Sequence, residues 1–456
     1  MTEGIRAWVE RARSAEVDAT IGVLAGTPAE LEEAHGRAPA SGAADAGLED
    51  ARRVADGPDG RDGPPSGRAG IFYLSSVKAA FPGLEPPEIF PYTPVTGTRA
   101  FREAWRAWLL RKAGQVGDPE RVRRLTSLPI ATPGVSGALF TCGHLLLDPR
   151  EEIVVADKHW DGYDTTFGVV LGARLTPHRL FTPGGRLDLQ GFEDRLRDVA
   201  GRQRKMTAIV NFPNNPTGYM PSHEEVGELR DRVCSLLERT GKPLVLLFDD
   251  AYEGFVYDPG AYPVSAFYAF VGLHPLCHPL KCDGITKELL FWGGRLGALT
   301  LGFRGEEETS RARAEREWET KCSAPLRAIV SSPTTPVQGL VTRLLGDGLD
   351  DALAERQRMI GLLGRRCRRL QALLDDPEAR EAFRADPFNG GFFAFLNLRH
   401  GSAQEVALRA LREHRVGVVP MEDPALGINA LRLTFGSVPE GQMEQLVRAL
   451  VASARG

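Results

Sequence analysis

Three places in this 456-residue chain set residue types capable of chemistry where an apolar run ends. PLVLLF ends in Asp249-Asp250-Ala251-Tyr252. TAIV leads into NFPNNPTGYM, residues 211–220, and the glycine-rich stretch GITKELLFWGGRLGALTLGF carries Lys287 and then Arg295. A carboxylate directly after a buried strand is largely dehydrated and needs a cationic partner or hydrogen bonds. Alone, Asp249 fits a helix N-cap. Tyr252 three residues on and the lone Lys287 further down favour a bound cofactor instead. Asn, Pro and Gly are ordinary turn formers, so NNPTG is by itself only a loop.

The elements that must position these residues follow an α/β pattern. From residue 71 amphipathic helical stretches (REAWRAWLLRKAG, HEEVGELRDRVCSLLERT) alternate with short apolar segments (EEIVVAD, TTFGVVLGA, RLTPHRL, TAIVNF, PLVLLFDD). Near-continuous apolar strands between such helices indicate a mostly parallel central sheet covered by helices on both faces. In such sheets ligands bind beyond the carboxyl ends of the strands, where these residues fall. After about residue 330 a long helix (LDDALAERQRMIGLLGRRCRRLQALLDD), strands FFAFLNL, VGVVP and LRLTF, and two further helices read as a smaller α+β domain. Residues 26–70 are rich in Gly, Ala, Pro and Asp and read as an irregular or disordered insertion. The expected division is therefore 1–25, an N-terminal segment of the small domain covering the substrate; 26–70, the insertion; 71–330, the large domain; and 331–456, the small C-terminal domain. There is no internal repeat.

Taken in order, NNPTG, D-x-A-Y, Lys287 and Arg295 followed by Gly297 resemble the fold-type I pyridoxal-phosphate (PLP) enzymes, the aspartate aminotransferase-like superfamily of classes I and II. The resemblance runs from roughly residue 18 to the C-terminus. It implies that Lys287 holds the cofactor aldehyde as a Schiff base and moves the substrate Cα proton. Asp249 would keep the pyridine nitrogen protonated, while Asn215 and Tyr252 hydrogen-bond the ring 3-oxygen. Gly134, Val135 and Ser136 open a helical stretch whose N-terminus can meet the phosphate, with Arg295 as its charged partner and Thr286 beside the lysine. Trp160 matches the ring-stacking aromatic, with a core aromatic as the alternative. Tyr92 matches a tyrosine reaching the phosphate from a neighbouring subunit, which implies a homodimer. Arg432 matches the arginine gripping the substrate α-carboxylate, and Ile21-Gly22-Val23 the segment lying across the substrate, which Asn215 also borders.

The chain departs from the family's common pattern around the lysine. Gly284 stands where a phosphate-binding serine is usual, and Glu288 and Trp292 are not the usual neighbours. No second arginine is assignable to a dicarboxylate side chain. The resemblance implies an aminotransferase moving the amino group of an α-amino acid to a 2-oxo acid. The alternative on the same scaffold is β- or γ-replacement, or carbon–carbon bond formation, in natural-product biosynthesis. A transcription regulator built on this domain would need a DNA-binding module, and the N-terminal 70 residues carry no helix-turn-helix pattern or basic face.

Composition narrows the partners to small molecules. A net charge of -4 gives no footprint for nucleic acid, and no apolar window of about 18 residues spans a membrane. Cys142, Cys234, Cys277, Cys282, Cys322 and Cys367 are scattered, without metal-ligand spacing, which fits a reducing cytoplasm and no metal. Arg365, Arg366, Arg368 and Arg369 lie in a helical pattern beside acidic residues and read as a solvated face.

Overall fold

A computed structural model of the chain describes residues 5–12, 15–20, 22–36, 70–304 and 308–456. The chain divides into two compact units. The larger comprises residues 74–215 and 220–353, the smaller residues 1–73, 216–219 and 354–456.

The larger unit is built on a seven-stranded sheet. Its strands are β1 (Ile130–Thr132), β2 (Glu152–Ala156), β3 (Arg174–His178), β4 (Met206–Asn211), β5 (Leu244–Asp249), β6 (Cys277–Gly284) and β7 (Gly297–Leu301). Their spatial order is β1-β7-β6-β5-β4-β2-β3. Only β7 runs antiparallel to its neighbours; the remaining pairs are parallel. Every position of β4 and β5 is buried, as a strand with both faces covered requires. The run TTFGVVLGA is helical rather than extended: Asp164–Val170 forms a π-helix that buries Phe167 and leaves Val169 and Val170 exposed.

Three helices matter for the site. In α1 (Arg99–Ala113), Phe101, Trp105, Trp108, Leu109 and Lys112 fall on one buried face at helical spacing. Helix α2 (Gly134–Leu146) follows β1 and packs on the sheet. Helix α3 (Ile285–Glu288) is a single turn between β6 and β7.

In the smaller unit four strands, Phe383–Ala385, Phe393–Leu398, Ile428–Thr434 and Val419–Asp423, form an antiparallel sheet in that order. Two expectations change here. The segment from residue 26 begins with an ordered helix, Pro28–Ala34, while residues 37–69 lie outside the described residues. Thr27 Oγ1 accepts from the Glu30 N–H (3.3 Å) and the Glu30 carboxylate from the Thr27 N–H (2.7 Å), a capping box that TPAE spells out. The arginine cluster is not wholly a solvated face either. Arg366 is fully buried, donating to Glu30 (3.0 Å) and to the Gly436 carbonyl (2.6 Å) beneath the Phe72 ring. Its long side chain reaches inward from a helix on which Arg368 and Arg369 are exposed, a distinction that charge patterning alone does not make.

Burial works to raise the Glu30 pKa, but the Arg366 guanidinium and the Thr27 and Glu440 N–H groups hold it below its ordinary 4.5. The pair's contribution is therefore complete above pH 4.5 and fades as pH falls through the lowered value. Arg366→Met should destabilise the protein by about 3–5 kcal/mol at neutral pH, because Glu30 keeps its charge without its partner. The deficit should shrink below pH 4.5. Thermal unfolding of both proteins across pH checks this.

Candidate active site

Parallel pairing sets Asn211 opposite Asp249 at the carboxyl ends of β4 and β5, so two polar side chains emerge together at the sheet edge. Asn211 ties the edge together. Its Nδ2 donates to the Asp249 carbonyl (2.8 Å) and its Oδ1 accepts from the Asn215 N–H (2.8 Å). Asn215 is buried, and its side-chain oxygen has no hydrogen-bond partner among the described residues. Since amide O and N are assigned by their surroundings, this is an open amide edge held by a rigid turn. The rest of that turn, Pro216–Tyr219, groups with the smaller unit. There the Gly218 carbonyl accepts from Asn389 (3.0 Å) and Gly390 (2.9 Å). At φ +78°, a Cβ on Gly218 would lie 2.0 Å from the Phe393 carbonyl oxygen, so only glycine fits.

Asp249 is buried and finds the donors that its dehydration requires. The Tyr163 hydroxyl donates to Oδ2 (2.5 Å) and the Ala251 N–H to Oδ1 (3.2 Å). Burial raises the Asp249 pKa, against the pull of the Tyr163 and Ala251 donors and the charges of Lys287 and Lys281. Burial and the Asp249 charge push the Tyr163 phenol well above its ordinary value, so it keeps its proton and donates. Tyr163 is itself fixed by its neighbours. The Trp160 ring meets it edge-on (5.7 Å, 82°), and His159 stacks on it (5.9 Å, 9°). His159 has acceptors at both ring nitrogens, the Ala156 carbonyl (2.7 Å) and Asp164 (3.0 Å). Burial opposes its charged form, but the Asp164 side chain raises its pKa overall.

Lys287 projects from α3, partly buried, with Nζ 5.1 Å from the centre of the Tyr252 ring. Burial, opposed by Asp249 and reinforced by Arg295, brings its pKa down to about 8. Arg295 adopts a left-handed backbone conformation (φ +48°), and its Nη1 lies 3.4 Å from Thr286 Oγ1. Its guanidinium packs against the start of α2, where a Cβ on Gly134 would lie 2.8 Å from Nη2. Pro133 offers no side-chain cap to that helix, so the N–H groups of its first turn, at Gly134, Val135 and Ser136, have no side-chain acceptor there. An uncapped helix start beside a guanidinium is an anion site. Packing also explains the absence of serine at 284. A Cβ there would lie 2.8 Å from the Gly297 Cα, and Thr286 carries the hydroxyl beside Arg295 instead.

The larger unit thus holds Gly134, Val135, Ser136, Trp160, Asn215, Asp249, Tyr252, Thr286, Lys287 and Arg295. Tyr92 also belongs to it and is 91% exposed, on a loop stitched at both sides. The Pro91 carbonyl accepts from Thr335 (2.8 Å), and Thr93 donates to the Pro333 carbonyl (3.1 Å). Arg432 and Gly22 belong to the smaller unit, while Ile21 lies outside the described residues. Arg432 is buried in a central strand, donating to the Thr20 carbonyl (2.8 Å), with its guanidinium 4.8 Å from the centre of the Phe393 ring. Sequence reasoning missed Tyr163 and Asn211. The spacing of Tyr163 from Trp160 and the first Asn of NFPNN were the available signals, but both needed the strand register to acquire meaning.

The chain matches the family profile "Aminotransferase class I and II" over residues 63–450. The aspartate/prephenate aminotransferase of Thermus thermophilus is 25% identical over 367 residues, covering 78% of this chain and 82% of that protein. Among solved structures, an aminotransferase from Anaerococcus prevotii superposes with a TM-score of 0.77 at 18% identity, covering 100% of this chain and 98% of its own. The kynurenine aminotransferase of Pyrococcus horikoshii gives a TM-score of 0.72 at 15% identity, covering 100% and 95%. These two share the fold. The chain belongs to the aminotransferase class I and II family, and it is a pyridoxal-phosphate-dependent transferase of fold type I.

Proposed function

We propose that the protein moves the amino group of an α-amino acid to a 2-oxo acid, with PLP held at Lys287. The observation that carries this reading is the convergence of Lys287, Tyr252 and the buried, tyrosine-bound Asp249 beside an uncapped helix start that packs on Arg295. The open amide edge of Asn215 and the glycine-lined Arg295 contact fit a flat ring with a phosphate at one end.

When bound, PLP supplies an electron sink for the pair left as the substrate Cα–H bond breaks. Asp249 would hold a proton at the ring nitrogen, and its bond from Tyr163 keeps its carboxylate oriented. Asn215 and Tyr252 would donate to the ring oxygen, and Trp160 would cover the ring face. The first turn of α2, Ser136, Thr286 and Arg295 would hold the phosphate. Lys287, with its pKa brought down to about 8, suits taking and returning a proton near neutral pH. Arg432 would grip the substrate α-carboxylate and Gly22 would border the substrate. The rigidly presented Tyr92 would reach the phosphate of a second copy, making a homodimer the working unit. The relatives reported above carry aminotransferase names, which favours transfer of an amino group over replacement chemistry.

Borohydride reduction of the holoenzyme followed by peptide mapping should place the cofactor on Lys287. Lys287→Ala should fold, retain some PLP without a covalent link and lose turnover; a label on another lysine overturns the assignment.

The lowered pKa of Lys287 has a direct consequence in the cofactor-free protein. The amine is mostly neutral, and so nucleophilic, above about pH 8. The rate of covalent PLP capture should therefore rise with pH and level off above 8, whereas an ordinary lysine keeps gaining reactivity towards pH 10.4. Stopped-flow absorbance across pH reads this.

Arg432→Lys replaces a planar two-donor fork by a point charge. It should weaken amino-acid binding by about 2–4 kcal/mol, since the carboxylate loses one of its two donors and is left poorly compensated. The absorbance of the resting cofactor should stay unchanged. Spectral titration with amino acids measures both quantities.

A further inference from the structure

Beside Lys287 lies a set of charges that the mechanism above leaves unused. Asp250, Glu253, Asp283 and Glu288 converge with Lys112 and Lys281, and the most exposed of these six side chains is only 4% accessible. Lys112 Nζ stands 2.5 Å from Glu253, 2.8 Å from Glu288 and 3.6 Å from Asp283. Lys281 Nζ stands 2.5 Å from Asp250, 2.8 Å from Glu253 and 3.6 Å from Asp283. Trp108 Nε1 donates to Glu288 (2.6 Å), Trp105 Nε1 to Asp283 (3.0 Å) and the Ser265 N–H to Glu253 (3.1 Å). Oxygens of Glu253, Asp283 and Glu288 lie within 4.8 Å of one another, as in a cation site. The Lys112 ammonium already stands among them, so the cation here is a side chain.

Stability alone is a poor reason for such a cluster. Several buried charges cost desolvation that apolar residues of the same volume avoid. Position offers a better reason. Asp250 follows Asp249, Glu253 follows Tyr252 and Glu288 follows Lys287 in the chain, so three cluster carboxylates are direct neighbours of residues assigned to the cofactor. Helix α3, which carries Lys287, has only four residues and no side-chain N-cap, and Leu290 beyond it turns left-handed (φ +49°). One turn of helix cannot hold itself. Its last residue, Glu288, is gripped by two side chains of the long helix α1, Trp108 and Lys112.

We propose that Glu288 is a positioning residue, through which Trp108 and Lys112 clamp the single helical turn that aims Lys287. This rests on the reading of Lys287 as the cofactor lysine. It also gives a role to one residue by which this chain departs from the family's common pattern.

The test compares Glu288→Gln, Lys112→Met and the double variant with the native protein. Each is examined as holoenzyme by the circular dichroism induced in the cofactor band, and after cofactor removal by the rate of PLP capture at Lys287. Glu288→Gln should slow capture on the order of tenfold, as misplacement of a reacting group does, and weaken the induced signal. Lys112→Met should do the same. The double variant should be no slower than the slower single one, since both act through one clamp. Unchanged capture and an unchanged signal in variants with a lowered Tm would reduce the cluster to a packing feature and overturn the proposal. Additive losses in the double variant would overturn the clamp as well. If Glu288→Gln does not fold, Trp108→Phe removes one donor and keeps the ion pair. It should then slow capture by about threefold, the worth of one hydrogen bond, and no slowing overturns the proposal. Mapping of the borohydride label in the native protein stands apart, because a label away from Lys287 rejects the site assignment rather than the clamp.

Discussion

A carboxylate at the end of a six-residue strand, buried at every position, sets the terms for the larger unit. Asp249 is removed from water, and its charge survives there only with donors and cations arranged around it. Tyr163 and the Ala251 N–H supply the donors; Lys287 and Lys281 supply positive charge. Each is held in turn. Tyr163 packs against Trp160 and His159, and Asn211 fixes the backbone at Asp249 while holding Asn215. A cofactor edge needing a negative partner would meet a carboxylate whose orientation is already fixed, and fixed dipoles of this kind serve chemistry better than mobile ones.

The same economy of charge governs the surroundings. Burial pushes Asp250 up to about 7, against the pull of Lys281, while Glu253, which is also desolvated, is drawn down by Lys112 and Lys281. Adjacent residues on one chain segment therefore divide the work. Asp249, Tyr252 and Lys287 are the residues proposed to hold the cofactor, and Asp250, Glu253 and Glu288 join the ionic cluster. In the smaller unit Arg366 and Arg432 repeat the rule. Each buried guanidinium has a backbone carbonyl as acceptor and an aromatic ring against its face. Arg366 adds the Glu30 carboxylate and so ties the N-terminal helix to the core.

The sequence by itself determined the alternation of strands and helices, the ends at which polar residues gather, and an ordered set of motifs that shows the family. These are local properties: strand and helix periods, turn formers, and spacings along one chain. The proposed site residues Lys287, Asp249, Asn215, Tyr252 and Arg295 were legible because each sits in a short motif. Only the tertiary structure decided which side chains meet across segments distant in the chain. Register placed Asn211 opposite Asp249; the fold brought Tyr163 to the same carboxylate and Lys112 to Glu288. The approach of Gly297 at 284 excludes a serine, and the reach of Arg366 into the core separates it from its exposed neighbours. The physical reason is common to all of these. A buried group is defined by what packs against it, and a partner in another segment of the chain, 38 residues away for Asn211 and Asp249 and 176 for Lys112 and Glu288, leaves no mark on the local pattern.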